Sequence, residues 1–398
     1  MPRLLMAFKA PDGGAAENVL QLASRVGARG WEVELVGPLE SRIYEHIPDS
    51  IRVHRLPISP GYASLRENAS ALRGLRAIVS ERHFDLLHAH SAQAGVLARL
   101  ARLAGGPPVV YTPHCFTFLG NPARARSMVG LNIEQALAPL TSAFIDVSSY
   151  ERRAAIRLRV GRGEHHHLVA NASEPCPDVP ADNQLRAFKQ GHPLVVLVAS
   201  LRPQKRVDVF LRALPELFRR VPDARAALIG NGAERAKLHR LALQLGLAED
   251  ERFLMAPFRD CAARYLKCAD LYALSSGWES LPIGVLEALA CGVPQVATHV
   301  GGVSEAVGVD TGVLVTPEDP AALAHGLVVL LTDPERRRQM SAASLARHRE
   351  LFGLERMVDQ TVDVYETVLS SAPRWVSSEP SPRAANASSR SERSSTPT

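Results

Sequence analysis

Short apolar runs and helix-period stretches alternate along almost the whole chain. LLMAF (4–8) is followed by a Gly13-Gly14 break, an apolar-periodic segment from Val19 to Val26 and a second run, WEVELVG (31–37). That order spells strand, turn, helix, strand: a β-α-β unit. Runs of the same kind recur at DLLHA (85–89), PVVYTP (108–113), AFIDVS (143–148) and HHLVAN (166–171). From 173 to 192 the chain becomes proline-rich and poor in long apolar side chains until QLRAF, which reads as a linker. A second series then runs through PLVVLVAS (193–200), VDVFLRALPELFRR (207–220), ARAALIG (224–230), a helix reaching Leu245, RFLMAP (252–257) and DLYALS (270–275).

This alternation predicts an α/β protein of two Rossmann-like, doubly wound parallel-sheet domains, residues 1–172 and 193–355, facing each other across a cleft. Helical spacing in MVDQTVDVYETVL (357–369) predicts a C-terminal helix over 356–370 that packs back on the first domain. The serine-rich stretch 371–398 has too little apolar surface to offset ordering entropy and is expected to be disordered. Ligands of such open sheets lie beyond the carboxyl ends of the strands.

Composition adds exclusions. A chain of 398 residues with 46% hydrophobic and 22% charged residues is globular. The net charge of +5 does not call for nucleic acid. Five cysteines, an odd number without a C-x-x-C pair, argue against a disulfide framework and a zinc ribbon and favour a reducing cytoplasm. The apolar run before Pro11 and Gly13 is too short for a signal-peptide core, and no run of 18 apolar residues occurs.

Candidate chemistry concentrates in SSGWESLPIGVLEALACGVPQVATHVGGVSE, residues 275–305. A loop carrying Glu279 precedes a helix that opens near Ile283 and stops at Cys291-Gly292-Val293-Pro294. The helix N-terminus suits a diphosphate, and Glu287, in its first turns, suits vicinal hydroxyls. The competing reading is a solvated loop charge and a dipole-complementing glutamate.

ESLPIGVLEALACGVP resembles the E-x7-E motif of the retaining GT-B glycosyltransferases of family four, which use nucleotide-diphosphate sugars, and the resemblance extends over residues 4–368. It implies that Glu279 contacts the donor sugar, Glu287 the ribose, and the backbone of Leu281, Pro282, Ile283 and Gly284 the diphosphate. Gly13-Gly14 resembles the family loop beside the transferring phosphate and acceptor, where a side chain would hold the ligand away. His114, in YTPHCF, resembles the histidine lining the catalytic cleft, although Cys115 follows where the family usually has Gly. His88 and His90 stand at a neighbouring strand end, with His90 on the acceptor side. Lys205 matches the lysine that pairs with the diphosphate, and Gly230 and Gly232 of GNGAE match the turn near the base. GNGAE lacks the third glycine of a dinucleotide fingerprint, which argues against NAD. Many members carry an arginine at the strand end where this chain has Ser200. Two residues on, Arg202 is expected to share that face if the segment is extended, and so to reach the same cleft.

The resemblance further implies a UDP- or GDP-linked sugar donor, no other cofactor and no metal. The acceptor it implies is a lipid-linked saccharide or other glycan in cell-surface polysaccharide or glycolipid synthesis. Alternatives are a small-molecule acceptor, or a GT-B-shaped partner subunit without catalysis. Arg152, Arg153, Arg157, Arg159 and Arg162 suggest peripheral contact with an anionic inner membrane surface. His165-His166-His167 is not expected to hold a metal, because consecutive side chains of a strand point to opposite faces.

Overall fold

The computed structural model describes residues 1–9, 13–58, 65–120 and 124–371, so the tail after Ser371 lies outside the described residues. Strands of the first half are β1 (Arg3–Phe8), β2 (Glu32–Gly37), β3 (Arg52–Arg55), β4 (Leu86–His90), β5 (Val109–Thr112), β6 (Ala143–Asp146) and β7 (His166–Leu168). Its helices are α1 (Gly14–Ala28), α2 (Leu65–Arg82), α3 (Ala92–Arg102), α4 (Thr117–Gly120), α5 (Arg124–Leu137) and α6 (Ser149–Arg157).

After α7 (Asn183–Lys189), the second half has strands β8 (Leu194–Val198), β9 (Arg225–Ile229), β10 (Phe253–Ala256), β11 (Leu271–Leu274), β12 (Gln295–Thr298) and β13 (Gly312–Val315). Between and after them run α8 (Val207–Arg220), α9 (Arg235–Gln244), α10 (Ala262–Leu266), α11 (Ile283–Ala290) and α12 (Val303–Ala306). The last helices are α13 (Pro320–Leu331), α14 (Pro334–Leu351) and α15 (Leu354–Ser371).

All pairings are parallel, in the orders β3-β2-β1-β4-β5-β6-β7 and β10-β9-β8-β11-β12-β13. The central strands are mostly apolar because helices cover both faces, His88 and His90 of β4 being the main exceptions. LVVLV of β8 and LYAL of β11 are nearly water-free. Strand β3, RVHR, carries no apolar run and pairs only as an edge, which is why hydrophobic patterning passes over it.

Helix α15 belongs spatially to the first sheet. Met357, Val358, Tyr365 and Val368 recur at helical spacing and join Val19, Val26 and Trp31 in one core. Arg29 Nε bonds Asp359 Oδ1 at 2.7 Å along the same seam. Among the described residues no helix is long and apolar enough to cross a membrane.

The cysteine reading needs correction. Cys176, in the proline-rich segment, is disulfide-bonded to Cys291, the residue that caps the C-terminus of α11, with Cα atoms 4.8 Å apart. An odd count left one pair compatible with free partners, and 115 residues of separation hide the pairing from any local pattern. The expectation of a reducing compartment loses its support from the cysteines. We expect Cys176→Ser to lower the unfolding free energy by about 2–4 kcal/mol, since the bridge closes a long loop in the unfolded chain. Denaturant titrations with and without dithiothreitol check this: the gap between wild type and variant should vanish in reductant.

Candidate active site

In each sheet the chain order reverses at one point, between β1 and β4 and between β8 and β11. The loops leaving those four strands carry Gly13-Gly14, His90-Ser91, Ser200–Lys205 and Ser275–Glu279. Topology alone therefore gathers most of the candidate residues at the crevice where open α/β sheets bind ligands.

Glu279 is the centre of the second-domain side. Its side chain is 7% exposed, and its Oε1 accepts from Lys205 Nζ at 2.5 Å and from Ser276 Oγ at 2.7 Å. Gln204 Nε2 donates to Glu279 Oε2 at 3.2 Å and to the Trp278 carbonyl at 2.9 Å. The loop after β8 thus holds the loop after β11 through one compensated carboxylate. Pro282 starts α11 without a side-chain cap, leaving first-turn N–H groups without a side-chain acceptor. Leu281 is buried and its carbonyl accepts from Asn171 Nδ2 at 2.7 Å, a bond from the first domain. A Cβ on Gly284 would stand 2.7 Å from Tyr272 Oη, so this glycine lets the helix approach β11.

The first domain closes on this surface. A Cβ on Gly14 would stand 3.1 Å from Ile283 Cδ1, and one on Gly13 3.9 Å from Ser200 Oγ. A Cβ on Gly120 would come within 2.1 Å of Trp278. Glu287 faces Glu17 of α1, and burial together with that second carboxylate pushes its carboxyl up to about 7.

His114 and Cys115 follow β5 with φ of 59° and 148°, both in the region that favours glycine. Burial lowers the His114 imidazole to about 4, so it is neutral at pH 7 with one N–H donor and one lone pair. Its Nε2 bonds His90 Nδ1 at 3.1 Å, while His90 is 1% exposed. His90 therefore reaches the cleft only through His114. His88 is also buried, between Tyr365 Oη at 2.6 Å and Thr112 Oγ1 at 2.8 Å. The Cys115 thiol is pushed up by burial and by Glu151 and Glu279, which puts it in the field of both domains.

The remaining candidates border the loop after β8 or lie in the first-domain core. Gly230 and Gly232 are required by packing: a Cβ would stand 2.2 Å from the Ala199 carbonyl or 2.5 Å from that of Leu201. Arg202 lines a separate concavity of about 450 Å³ between α8 and α9, together with Arg206, Arg212, Lys237 and Arg240. Arg202 is extended, with φ −120° and ψ 156°, and its backbone N–H donates to the Ser200 carbonyl at 2.8 Å, which turns the chain at Leu201. His166 is buried, bonding Asp146 Oδ2 at 2.8 Å and the Val160 carbonyl at 2.7 Å.

The sequence reading missed Gln204 and Ser276, which compensate Glu279, and Glu17, which faces Glu287. It also missed Glu151, whose carboxylate accepts the Phe116 and Val147 amides at 3.1 Å each. Burial pushes that carboxyl up to about 8, with Asp146 adding to the effect. Glu305 escaped too, although it ends the GGVSE that follows β12.

Comparison with known proteins agrees with the fold. Residues 13–172 match the family described as Glycosyl transferase 4-like domain and residues 179–347 that described as Glycosyl transferases group 1. The chain is 30% identical over 396 residues to the D-inositol 3-phosphate glycosyltransferase of Xylanimonas cellulosilytica, covering 91% of this chain and 93% of the relative. It is 24% identical over 345 residues to the UDP-Gal:alpha-D-GlcNAc-diphosphoundecaprenol alpha-1,3-galactosyltransferase of Escherichia coli, covering 84% of this chain and 89% of that one. Anabaena HepE in complex with UDP-glucose superposes with a TM-score of 0.79 at 21% identity, over 92% of this chain and all (100%) of the other. Two parallel-sheet α/β domains, matched by glycosyltransferase families over both halves, define a GT-B glycosyltransferase. The chain belongs to the family-four type of that class.

The glycine-like geometry of Cys115 yields a stability prediction. A non-glycine residue held there costs about 1–3 kcal/mol, against roughly 0.5–1 kcal/mol for the extra unfolded-state freedom of glycine. Cys115→Gly should leave the melting temperature equal or higher by a few degrees; calorimetry showing a clear loss would mean that thiol packing outweighs the strain.

Proposed function

We propose that the protein transfers a hexosyl or N-acetylhexosaminyl group from a UDP-sugar to an acceptor hydroxyl with retention of anomeric configuration. The observation that carries this is Glu279, a nearly buried carboxylate held by Lys205, Gln204 and Ser276 opposite the His114 loop. The reading takes support from HepE, solved with UDP-glucose, and from the Escherichia coli relative, whose name specifies UDP-Gal.

In this reading the α11 N-terminus and Lys205 stabilise the diphosphate as it departs with the bonding electrons of the C1–O bond. The acceptor oxygen bonds C1 on the same face, and its proton passes to the leaving phosphate oxygen. Glu279 orients the sugar hydroxyls and holds Lys205 in place. Neutral His114 donates to, or accepts from, a hydroxyl of the sugar or acceptor. Glu287 binds the ribose hydroxyls. The diphosphate charge is met by Lys205 and helix N–H groups, so the reaction is independent of divalent metal.

For the acceptor, we favour a lipid-linked saccharide of a cell-surface glycan. Arg153, Arg157, Arg159 and Arg162 are exposed on the first domain, which would take the acceptor, and suit an anionic surface. The name of the Xylanimonas relative points to a small phosphorylated polyol as the competing acceptor.

Incubation with a panel of UDP-sugars and both acceptor types, read by proton NMR of the new anomeric centre, tests the assignment. Retention and unchanged rates in EDTA are expected. An inverted product, or activity lost in EDTA and restored by manganese, overturns it.

Glu287 makes a second test. Its carboxyl titrates near 7 in the empty site, so the stronger, ionised acceptor forms as pH rises from 6 to 8. Wild-type affinity for UDP-glucose, whose diphosphate diester does not titrate in this window, should tighten over that range. Glu287→Gln should bind about 1.5–3 kcal/mol more weakly at pH 8. Its affinity should also be flat with pH, as calorimetry would show.

A further inference from the structure

Two carboxylates outside the donor site connect its two halves. Helix α6 of the first domain exposes its orphan N-terminal amides toward the second domain, and Glu305 of α12 accepts both: Ser149 N to Oε2 at 2.8 Å and Tyr150 N to Oε1 at 2.8 Å. The next amide, that of Glu151, is capped within the first domain by Ser148 Oγ at 3.1 Å.

Glu305 is rigidly joined to Glu279. Its carbonyl accepts from Arg347 of α14 at 2.8 Å. The Gly301-Gly302 turn before it lies on the Glu279–Ser280 backbone, with Gly302 N donating to the Ser280 carbonyl at 2.7 Å. A Cβ on Gly301 would stand only 1.6 Å from the Glu279 carbonyl oxygen, at a φ of 55°, so no other residue fits. Ser280 Oγ meets Ser148 Oγ at 3.1 Å, directly ahead of α6.

On the far side, α6 is joined to His114. Glu151, in its first turn and fully buried, accepts the amide of Phe116 at 3.1 Å and that of Val147 at 3.1 Å. Phe116 immediately follows His114 and Cys115, whose positive φ angles need an outside restraint to persist.

We propose that Glu305 is a positioning residue for glycosyl transfer: by capping α6 from the opposite domain it sets, through Glu151 and the Phe116 amide, where the His114 loop stands relative to Glu279. The inference rests on the transferase reading above only for its kinetic consequence; the mechanical linkage stands on the bonds themselves. Nucleotide binding uses second-domain groups in that reading, and the Glu305 bonds to α6 touch none of them.

The test uses the full chain with Glu305→Ala and Glu305→Gln. For Glu305→Ala, kcat/KM should fall tenfold or more while the Kd for UDP stays within twofold of wild type. Glu305→Gln keeps one acceptor oxygen and should recover part of the rate. Hydrogen exchange followed by mass spectrometry should show faster exchange at Ser149 and Tyr150 and also at the Phe116 amide, which Glu305 does not touch. Faster exchange confined to Ser149 and Tyr150, with wild-type kcat/KM, overturns the proposal and reduces Glu305 to a helix cap. Should wild type transfer no sugar at all, the transferase reading fails and exchange at Phe116 alone decides the linkage. If Glu305→Ala does not fold, Glu305→Gln is read in the same assays, with wild-type rate and wild-type Phe116 exchange as the overturning result.

Discussion

A carboxylate removed from water must be compensated by specific donors, and that requirement at Glu279 organises the cleft. Its partners come from two loops, Gln204 and Lys205 after β8 and Ser276 after β11. These are the loops of the two strands that flank the switch point of the second sheet. Taking away Lys205 would leave a nearly buried anion short of its cation, a cost of several kcal/mol where no ligand replaces it. The ion pair therefore stabilises the empty site, and in the proposed reading an incoming diphosphate competes with Glu279 for the same ammonium.

Close backbone approach is the second constraint. Gly301 sits on the Glu279 carbonyl, Gly14 against Ile283, and Gly120 against Trp278, each where a Cβ would stand 3.1 Å or less from its neighbour. Gly14 and Gly120 of the first domain make room for the second-domain side chains of Ile283 and Trp278, whereas Gly301 lies on backbone of its own domain. His114 and Cys115 take up glycine-like φ angles without being glycine, and Glu151 holds the next amide. Strain in one loop is offset by a buried glutamate in another element.

The parallel sheets were legible because strands covered on both faces are largely apolar along their length, as β8 and β11 are. Glu279 and Glu287 were legible because both belong to one contiguous motif. Glu151 and Glu305 were not, since their partners are backbone amides, and an amide donates alike from any residue but proline. The Cys176–Cys291 pairing is long-range in the same sense. Arg202 is itself extended, as Pro203 after it favours, but the Arg202-to-Ser200 backbone bond turns the chain at Leu201, and Arg202 lines the α8–α9 concavity.

Helix α11 shows how these constraints combine. It has only eight residues and is almost wholly apolar, too short to hold itself by its own hydrogen bonds. Packing therefore decides where it lies, and both ends are tied to other segments. At its C-terminus Cys291 is bonded to Cys176. Just before its N-terminus the Leu281 carbonyl takes a hydrogen bond from Asn171 of the other domain, and Gly14 abuts Ile283. A helix fixed at both ends points its dipole in one direction without needing reorganisation when charge appears. In the proposed reading the apolar helix, the disulfide and the interdomain bonds thus serve one electrostatic purpose, a positive end already in place.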